Sequence, residues 1–227
     1  MRLLAFDTAT EACSVALEVD GAVHARHLEQ PRAHGERLLA MIDEVLAAGG
    51  IARAELDALA FGRGPGGFTS LRIGAGVAQG IAYGLDLPVI PVSSLAVLAQ
   101  GAARGHGVER ALAALDARMG EVYWGAFAAD ANGIMQPAGG EHVLPPERVE
   151  CPPGTGWCAC GTGWESYRDA LLQRCGDALQ GITGPRLPNA VDLLPLAAAA
   201  RDRGEAVAAE HAVPVYLRDR VAEKKRR

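Results

Sequence analysis

Two carboxylates of the chain, Asp7 and Asp116, stand where chemistry is expected. Each closes a short apolar run, Arg2–Phe6 and Ala111–Leu115. A carboxylate at the end of a buried strand is a common place for a metal ligand. The partners such a site needs are missing from the sequence. The next strand of the first unit ends Phe61-Gly62-Arg63 and supplies no second carboxylate. Asp7-Thr8-Ala9-Thr10 has Ala where a phosphate loop needs glycine, and Asp116-Ala117-Arg118-Met119-Gly120 lacks a glycine-rich turn as well. No catalytic residue is therefore assigned. Lys224 and Lys225 are the only lysines, which excludes a Walker-type phosphate loop and a Schiff-base lysine in the body of the chain.

Gly62-Arg63-Gly64-Pro65-Gly66-Gly67 satisfies G-x-G-x-x-G. A dinucleotide fold also requires an acid about 20 residues later, at the end of the next strand. Asp86 has that separation but precedes Pro88 and the strand. The remaining readings are a purely structural elbow and a loop that faces an anion or nucleotide. The second would use Asp7, Thr8, Gly64, Gly66, Gly67 and Thr69, with Thr69 or Ser70 capping the following helix. His34 sits at a helix start beside Glu36 and reads as a helix-end or interface residue. The five cysteines, with C-x6-C-x-C at Cys151, Cys158 and Cys160 and a nearby His142, do not match a standard zinc spacing. Free thiols, no metal site and a reducing cytoplasm are expected.

Positioning these residues requires an ordinary globular chain, and the composition is one. Hydrophobic residues make up 49% and charged residues 22%, which argues against disorder. Aromatics are only 5%, so Ala, Leu and Val must fill the core. The net charge of -5 disfavours a chain whose main task is to hold a phosphate backbone. The last ten residues run the other way, with Arg218, Arg220, Lys224, Lys225, Arg226 and Arg227 against Asp219 and Glu223. That tail reads as a solvated terminus or as an RNA contact. No apolar run approaches a membrane span, and Arg2–Phe6 is too short for a secretory signal.

Hydrophobic patterning predicts strands at Arg2–Phe6, Ala12–Val19 and Ala22–Leu28, the last two joined by an Asp20-Gly21 hairpin turn. A helix over 33–48 is stopped by Gly49-Gly50. A strand at Leu56–Phe61, a helix at Thr69–Leu85, a strand at Val89–Val92 and a Ser-capped helix at Ser94–Ala103 follow. This order gives a five-stranded mixed sheet with helices on both faces, the ribonuclease-H-like arrangement found in each half of the actin and sugar-kinase superfamily. After a linker at Gly101–Gly107 the opening pattern returns. Ala111–Leu115 ends at Asp116, Glu121–Ala128 follows, and Asn132-Gly133 stands where Asp20-Gly21 stood. A divergent internal duplication is expected, with lobes at 1–103 and 108–227 and a late helix, Leu193–Arg203, that returns toward the first lobe. Residues 137–163 read as irregular loop and Trp164–Cys175 as helix.

Gly76, Gly80 and Gly84 recur at four-residue steps on the second helix and form a stripe. Each glycine in a helix interior costs up to about 1 kcal/mol relative to Ala, so close approach of another backbone is expected there. The candidate partner face takes His34, Leu38 and Ile42 from the first helix and Gly76, Gly80, Tyr83 and Gly84 from the second.

Taken together, Leu4–Thr10, Cys13–Leu17, His34–Leu39, Gly64–Gly74, Val92–Leu95, Asp116–Tyr123 and Pro214–Arg218 resemble the TsaB (YeaZ) family. The family usually has Ser where Gly67 stands and Gly where Ser70 stands. The resemblance implies a two-lobed actin-like fold and a non-catalytic role in forming threonylcarbamoyladenosine at position 37 of tRNAs that read ANN codons. It implies pairing with a metal-bearing TsaD-type paralogue, resetting by a TsaE-type ATPase, homodimers in isolation, and contact with tRNA through the complex. It also implies no cofactor of the chain's own, with ATP or ADP only at an interface. The paralogue holds metal through H-x-x-x-H after its fifth strand, and those positions fall here on Ser94 and Leu98. The competing reading is an enzyme acting alone, either an actin-like ATP-binding phosphotransferase or an M22-type metallopeptidase.

Overall fold

The computed structural model describes residues 1–218. Strand β1 (Leu3–Asp7) is buried along its whole length, as a central strand covered on both faces must be. Strand β2 (Ala12–Val19) pairs antiparallel with β1, and β3 (Ala22–Glu29) pairs antiparallel with β2. The turn between β2 and β3 holds Asp20 at φ 50° and Gly21 at φ 80°, the left-handed pair that a tight two-residue hairpin demands. Helix α1 (His34–Gly49) buries Leu38, Met41, Ile42, Val45 and Leu46 and ends at Gly50, which takes φ 67°. Strand β4 (Ala58–Gly64) runs parallel to β1. Helix α2 (Phe68–Leu85) leads to β5 (Val89–Ser93), parallel to β4. The first sheet has the order β3-β2-β1-β4-β5.

Helix α3 (Ser94–His106) is capped by the Ser93 side chain, which accepts from the amides of Leu95 and Ala96. Strands β6 (Arg110–Arg118), β7 (Glu121–Ala129) and β8 (Met135–Pro137) form an antiparallel meander, and β9 (His142–Leu144) also pairs with β7. Strand β10 (Trp157–Cys160) runs parallel to β6 and to β11 (Leu179–Ile182). Two short helices, α4 (Gly163–Ser166) and α5 (Arg168–Cys175), separate β10 from β11. The second sheet has the order β11-β10-β6-β7-β8, which repeats the first, strand for strand, in reverse reading.

Helix α6 (Ala190–Asp202) packs on β1, β2, β4 and β5, and it also lies against α3. Its Asn189 cap accepts from Val191. One apolar cluster therefore runs from the inner face of the first sheet (Leu3, Ala5, Ile90) through α3 and α6 to the inner face of the second (Ala111, Ala113, Phe127). Helices α1 and α2 cover the outer face of the first sheet and α4 and α5 that of the second. Past α6 the chain crosses back over the first lobe. Val207 bridges Val89, and the Val215 amide donates to the Arg63 carbonyl at 2.8 Å.

Residues 137–163 depart from their expected irregularity. They contain β9 and β10, and β10 is buried along its length, between β6 and β11. The expected helix over Trp164–Cys175 breaks at Tyr167, and the late helix begins at Ala190. The cations Arg220, Lys224, Lys225, Arg226 and Arg227 lie outside the described residues.

Candidate functional site

Asp7 ends β1 inside the protein. Its Oδ1 accepts from the Ala9 amide at 2.8 Å and its Oδ2 from the Ser94 hydroxyl at 2.6 Å. Gly62 of β4 lies directly behind it, and a Cβ there would fall inside the van der Waals radius of Oδ2. Burial raises the Asp7 pKa above the usual carboxylate range, against the lowering effect of the Ser94 and Ala9 hydrogen bonds. Thr8 is also buried. Its hydroxyl donates to the Ser70 carbonyl at 2.8 Å, and Gly74 leaves room for it. Leu98 is fully buried in the core shared by the two sheets.

Asp7 is engaged from two sides, one oxygen by a backbone amide and the other by the Ser94 hydroxyl. Imidazole would be the expected ligand type at Ser94 and Leu98. Among the described residues no three His, Cys, Asp or Glu side chains gather to hold an ion. Burial pushes the Cys13 thiol up to about 11 and the Cys160 thiol up to about 12, so both remain unreactive thiols near neutral pH.

The open cleft of about 570 Å³ lies between the lobes, not at Asp7. Gly66, Gly67 and Phe68 form part of one wall and Asp116, Arg118 and Tyr123 part of the other. Of the residues expected to face an anion, Gly66 and Gly67 line the cleft, and Asp7, Thr8, Gly64 and Thr69 do not. Gly64 takes φ 97° and packs on Leu71, and Thr69 points to solvent. Helix α2 begins after Gly67 with no side-chain cap, so neither Thr69 nor Ser70 caps it. Gly66 lies so close to the Ala9 carbonyl that no side chain fits there. The cleft's charges engage one another. Arg118 pairs with Asp116 at 2.9 Å, Arg186 with Glu165 at 2.6 Å and Arg218 with Glu121 at 2.6 Å. The Tyr123 hydroxyl reaches the Gly66 carbonyl across the cleft at 3.4 Å. Nearby, Glu141 of the second lobe binds the Ser93 hydroxyl and lies 3.7 Å from Arg63. The Tyr123, Glu141 and Arg218 contacts fasten the lobes, the Arg118–Asp116 and Arg186–Glu165 pairs lie within the second, and none of them is a nucleophile activated by a base.

The outer helix face differs from expectation in phase. His34, Leu38 and Ile42 are buried, and His34 Nε2 binds the Ala12 carbonyl at 3.1 Å. They belong to the interior of the first lobe and cannot meet a partner. The large apolar side chain exposed on α1 is Leu39, at 46%, and α2 exposes Phe68 at its start and Tyr83, at 82%, near its end. Gly76, Gly80 and Gly84 lie on this surface with nothing near the position of a Cβ. Packing on the chain's own sheet therefore does not account for the stripe.

With this geometry in view, comparison with known proteins decides the family. The tRNA threonylcarbamoyladenosine biosynthesis protein TsaB of Escherichia coli (strain K12) is 49% identical over 99% of this chain and 98% of its own length. The chain belongs to the TsaB family. The protein of the same description from Haemophilus influenzae is 42% identical over 99% of this chain. The solved structure of YeaZ from Pseudomonas aeruginosa superposes with a TM-score of 0.90 at 50% identity and covers 95% of this chain and 99% of its own. A family model described as "TsaD: tRNA N6-adenosine threonylcarbamoyltransferase" matches residues 28–226. The TsaB-family fold is thus the two-lobed actin-like body described above. No helix among the described residues is long and apolar enough to cross a membrane.

Proposed function

We propose that this chain is a non-catalytic subunit in the formation of threonylcarbamoyladenosine at position 37 of tRNAs reading ANN codons. Relatives sharing nearly half its residues over full length carry the description of tRNA threonylcarbamoyladenosine biosynthesis proteins. The observation that carries the subunit role is the Ser94–Asp7 hydrogen bond, at 2.6 Å. It stands where the resemblance puts one of the paralogue's two metal-binding histidines, and a hydroxyl bound to Asp7 takes the place of imidazole there. The phosphotransferase and metallopeptidase readings lose Asp7 to this bond and keep only Asp116, which Arg118 and Tyr167 engage in the cleft wall.

The chain's contribution is then binding energy that holds a TsaD-type paralogue in a competent shape. The face offered is Leu39 of α1 with Gly76, Gly80, Tyr83 and Gly84 of α2, and in isolation the same face makes a homodimer. A TsaE-type ATPase resets the complex in the cytoplasm, and any ATP or ADP sits at an interface between subunits. Gly80→Leu tests this. Its side chain enters open space in the monomer, so the variant folds, yet the partner's helix can no longer approach. Loss of co-elution with the paralogue and of transferase activity in the reconstituted mixture is expected. Unchanged co-elution, or threonylcarbamoyl transfer by the purified chain alone, defeats the reading.

A further inference from the structure

The outer face of the second sheet brings together two thiols that the subunit role does not use. Cys175 is the last residue of α5 and is buried. Cys151 packs against the same apolar cluster but keeps part of its surface in water. The two side chains are hydrogen-bonded to each other. Cys13, Cys158 and Cys160 are buried elsewhere in the sheets. Two features hold the pair in place. The Arg174 Nε donates to the Val149 carbonyl at 2.9 Å, which ties the end of α5 to the chain just before Cys151. Pro152 and Pro153 follow Cys151, and a residue before proline is confined to extended backbone. Helix α5 is itself lightly anchored. It buries only Leu171 and Cys175, so its local opening costs less than unfolding the lobe. Trp124, Trp157 and Trp164, the three tryptophans of the chain, all belong to this cluster, and their emission reports on it.

We propose that Cys151 and Cys175 form a reversible oxidation site, at which hydrogen peroxide closes an intramolecular disulfide. Exposure assigns the roles. Cys151 is the thiol that meets the oxidant. Its sulfur, having given its proton to water, attacks one peroxide oxygen, and the O–O bond breaks. Cys151 becomes a sulfenic acid, and the departing oxygen takes up a proton and leaves as water. Cys175 then attacks the Cys151 sulfur. The S–S bond forms, the S–O bond breaks, and the hydroxyl leaves with the Cys175 proton as a second water. The two thiols lose two electrons and the peroxide gains them. Burial raises the Cys175 pKa, and the adjoining Cys151 adds to the rise. Cys175 therefore keeps its proton and is a poor target for oxidant on its own. Its attack succeeds because the sulfur it needs is already held beside it. A dithiol reductant reverses the bond by exchange. The pair lies on the outer face of the second lobe, whereas the face offered to a paralogue is on the first, so the proposal does not depend on the subunit role.

The test treats the full chain with hydrogen peroxide at neutral pH, alkylates the remaining thiols in denaturant and maps the peptides by mass spectrometry. Two thiols should be lost, in a single Cys151–Cys175 linkage that dithiothreitol reverses. Tryptophan emission should fall as the linkage forms, because a disulfide quenches indole, and should recover on reduction. Cys175→Ser should halt the reaction at the Cys151 sulfenic acid, trapped with dimedone, and excess peroxide should carry it on to sulfinic acid. Cys151→Ser should leave Cys175 unoxidised. Sulfinic acid at Cys151 of the native chain, with Cys175 still alkylated, overturns the proposal. So does a Cys151–Cys151 bond between two molecules, a Cys158–Cys160 linkage, or retention of every thiol. Oxidation of Cys175 in Cys151→Ser overturns the assigned order of attack and with it the proposal. The map of the native chain decides the linkage even where a variant does not fold.

Discussion

Gly62 and Gly80 are both glycines of the first lobe, under opposite constraints. Gly62 has the Asp7 carboxylate where its Cβ would be, whereas Gly80 has open space. Gly62→Ala should therefore destabilise the protein by about 1–3 kcal/mol through overpacking. Gly80→Ala should stabilise the isolated chain by about 0.5–1 kcal/mol through helix propensity. Urea unfolding of the two variants should shift the midpoint in opposite directions. Asp7 itself gives a prediction in pH. Its folded pKa is raised, so the folded state holds the proton more tightly than the unfolded chain. Stability then falls as pH rises from near 3.8 up through the folded pKa, and the deficit persists above it. Asp7→Asn, which keeps an acceptor and removes the charge, should be at least as stable as the native protein at neutral pH. Its advantage should shrink as both are acidified. An advantage that grew with acidification would refute the raised pKa. The sequence revealed that Asp7 ends a strand but not which way it faces. The residue that settles its environment, Ser94, lies 87 positions away.

Element by element, what was legible depended on the length and regularity of each pattern. Helices α1 and α2 run for 16 and 18 residues, long enough for their apolar spacing to announce them. Which residue of α1 faces out was a matter of phase. Leu38 and Leu39 are chemically identical neighbours, and only packing against β2 makes the first of them core. Strand β10 was invisible because its four residues alternate nothing. All of them are buried, and Pro and Gly turns surround them. Helix α6 was legible as a helix but not in its destination. Its anchoring residue is Asp192, at 1% exposure, which takes Arg104 of α3 through both oxygens at 2.5 and 3.1 Å. Asp192→Ala should cost about 1–3 kcal/mol, at the lower end because Arg104 is half in water. Asp192→Asn should recover part of this, read as a thermal midpoint between the two.

At the scale of the whole molecule, two sheets of matching strand order are put to different uses. The strand orders correspond, so the repeated Asp and hairpin signals in the sequence reflected a real repeat of topology. The two carboxylates diverged in setting. Asp7 is sealed, whereas Asp116 lies in the cleft wall and is held by Arg118 and Tyr167. The apolar seam between the sheets was beyond sequence reading, because it joins residues such as Leu3, Phe127 and Leu193 that no local pattern links.

That seam has a consequence for biogenesis. On the ribosome, β1 through α3 emerge first, yet α6, which closes their inner side, is translated some eighty residues later. Until then the nascent half-molecule shows bare aliphatic strands to the cytosol and depends on chaperones or speed to escape aggregation. A message truncated before Ala190 should yield insoluble or rapidly degraded polypeptide rather than a free-standing amino-terminal unit, as fractionation of the expressed fragment would reveal.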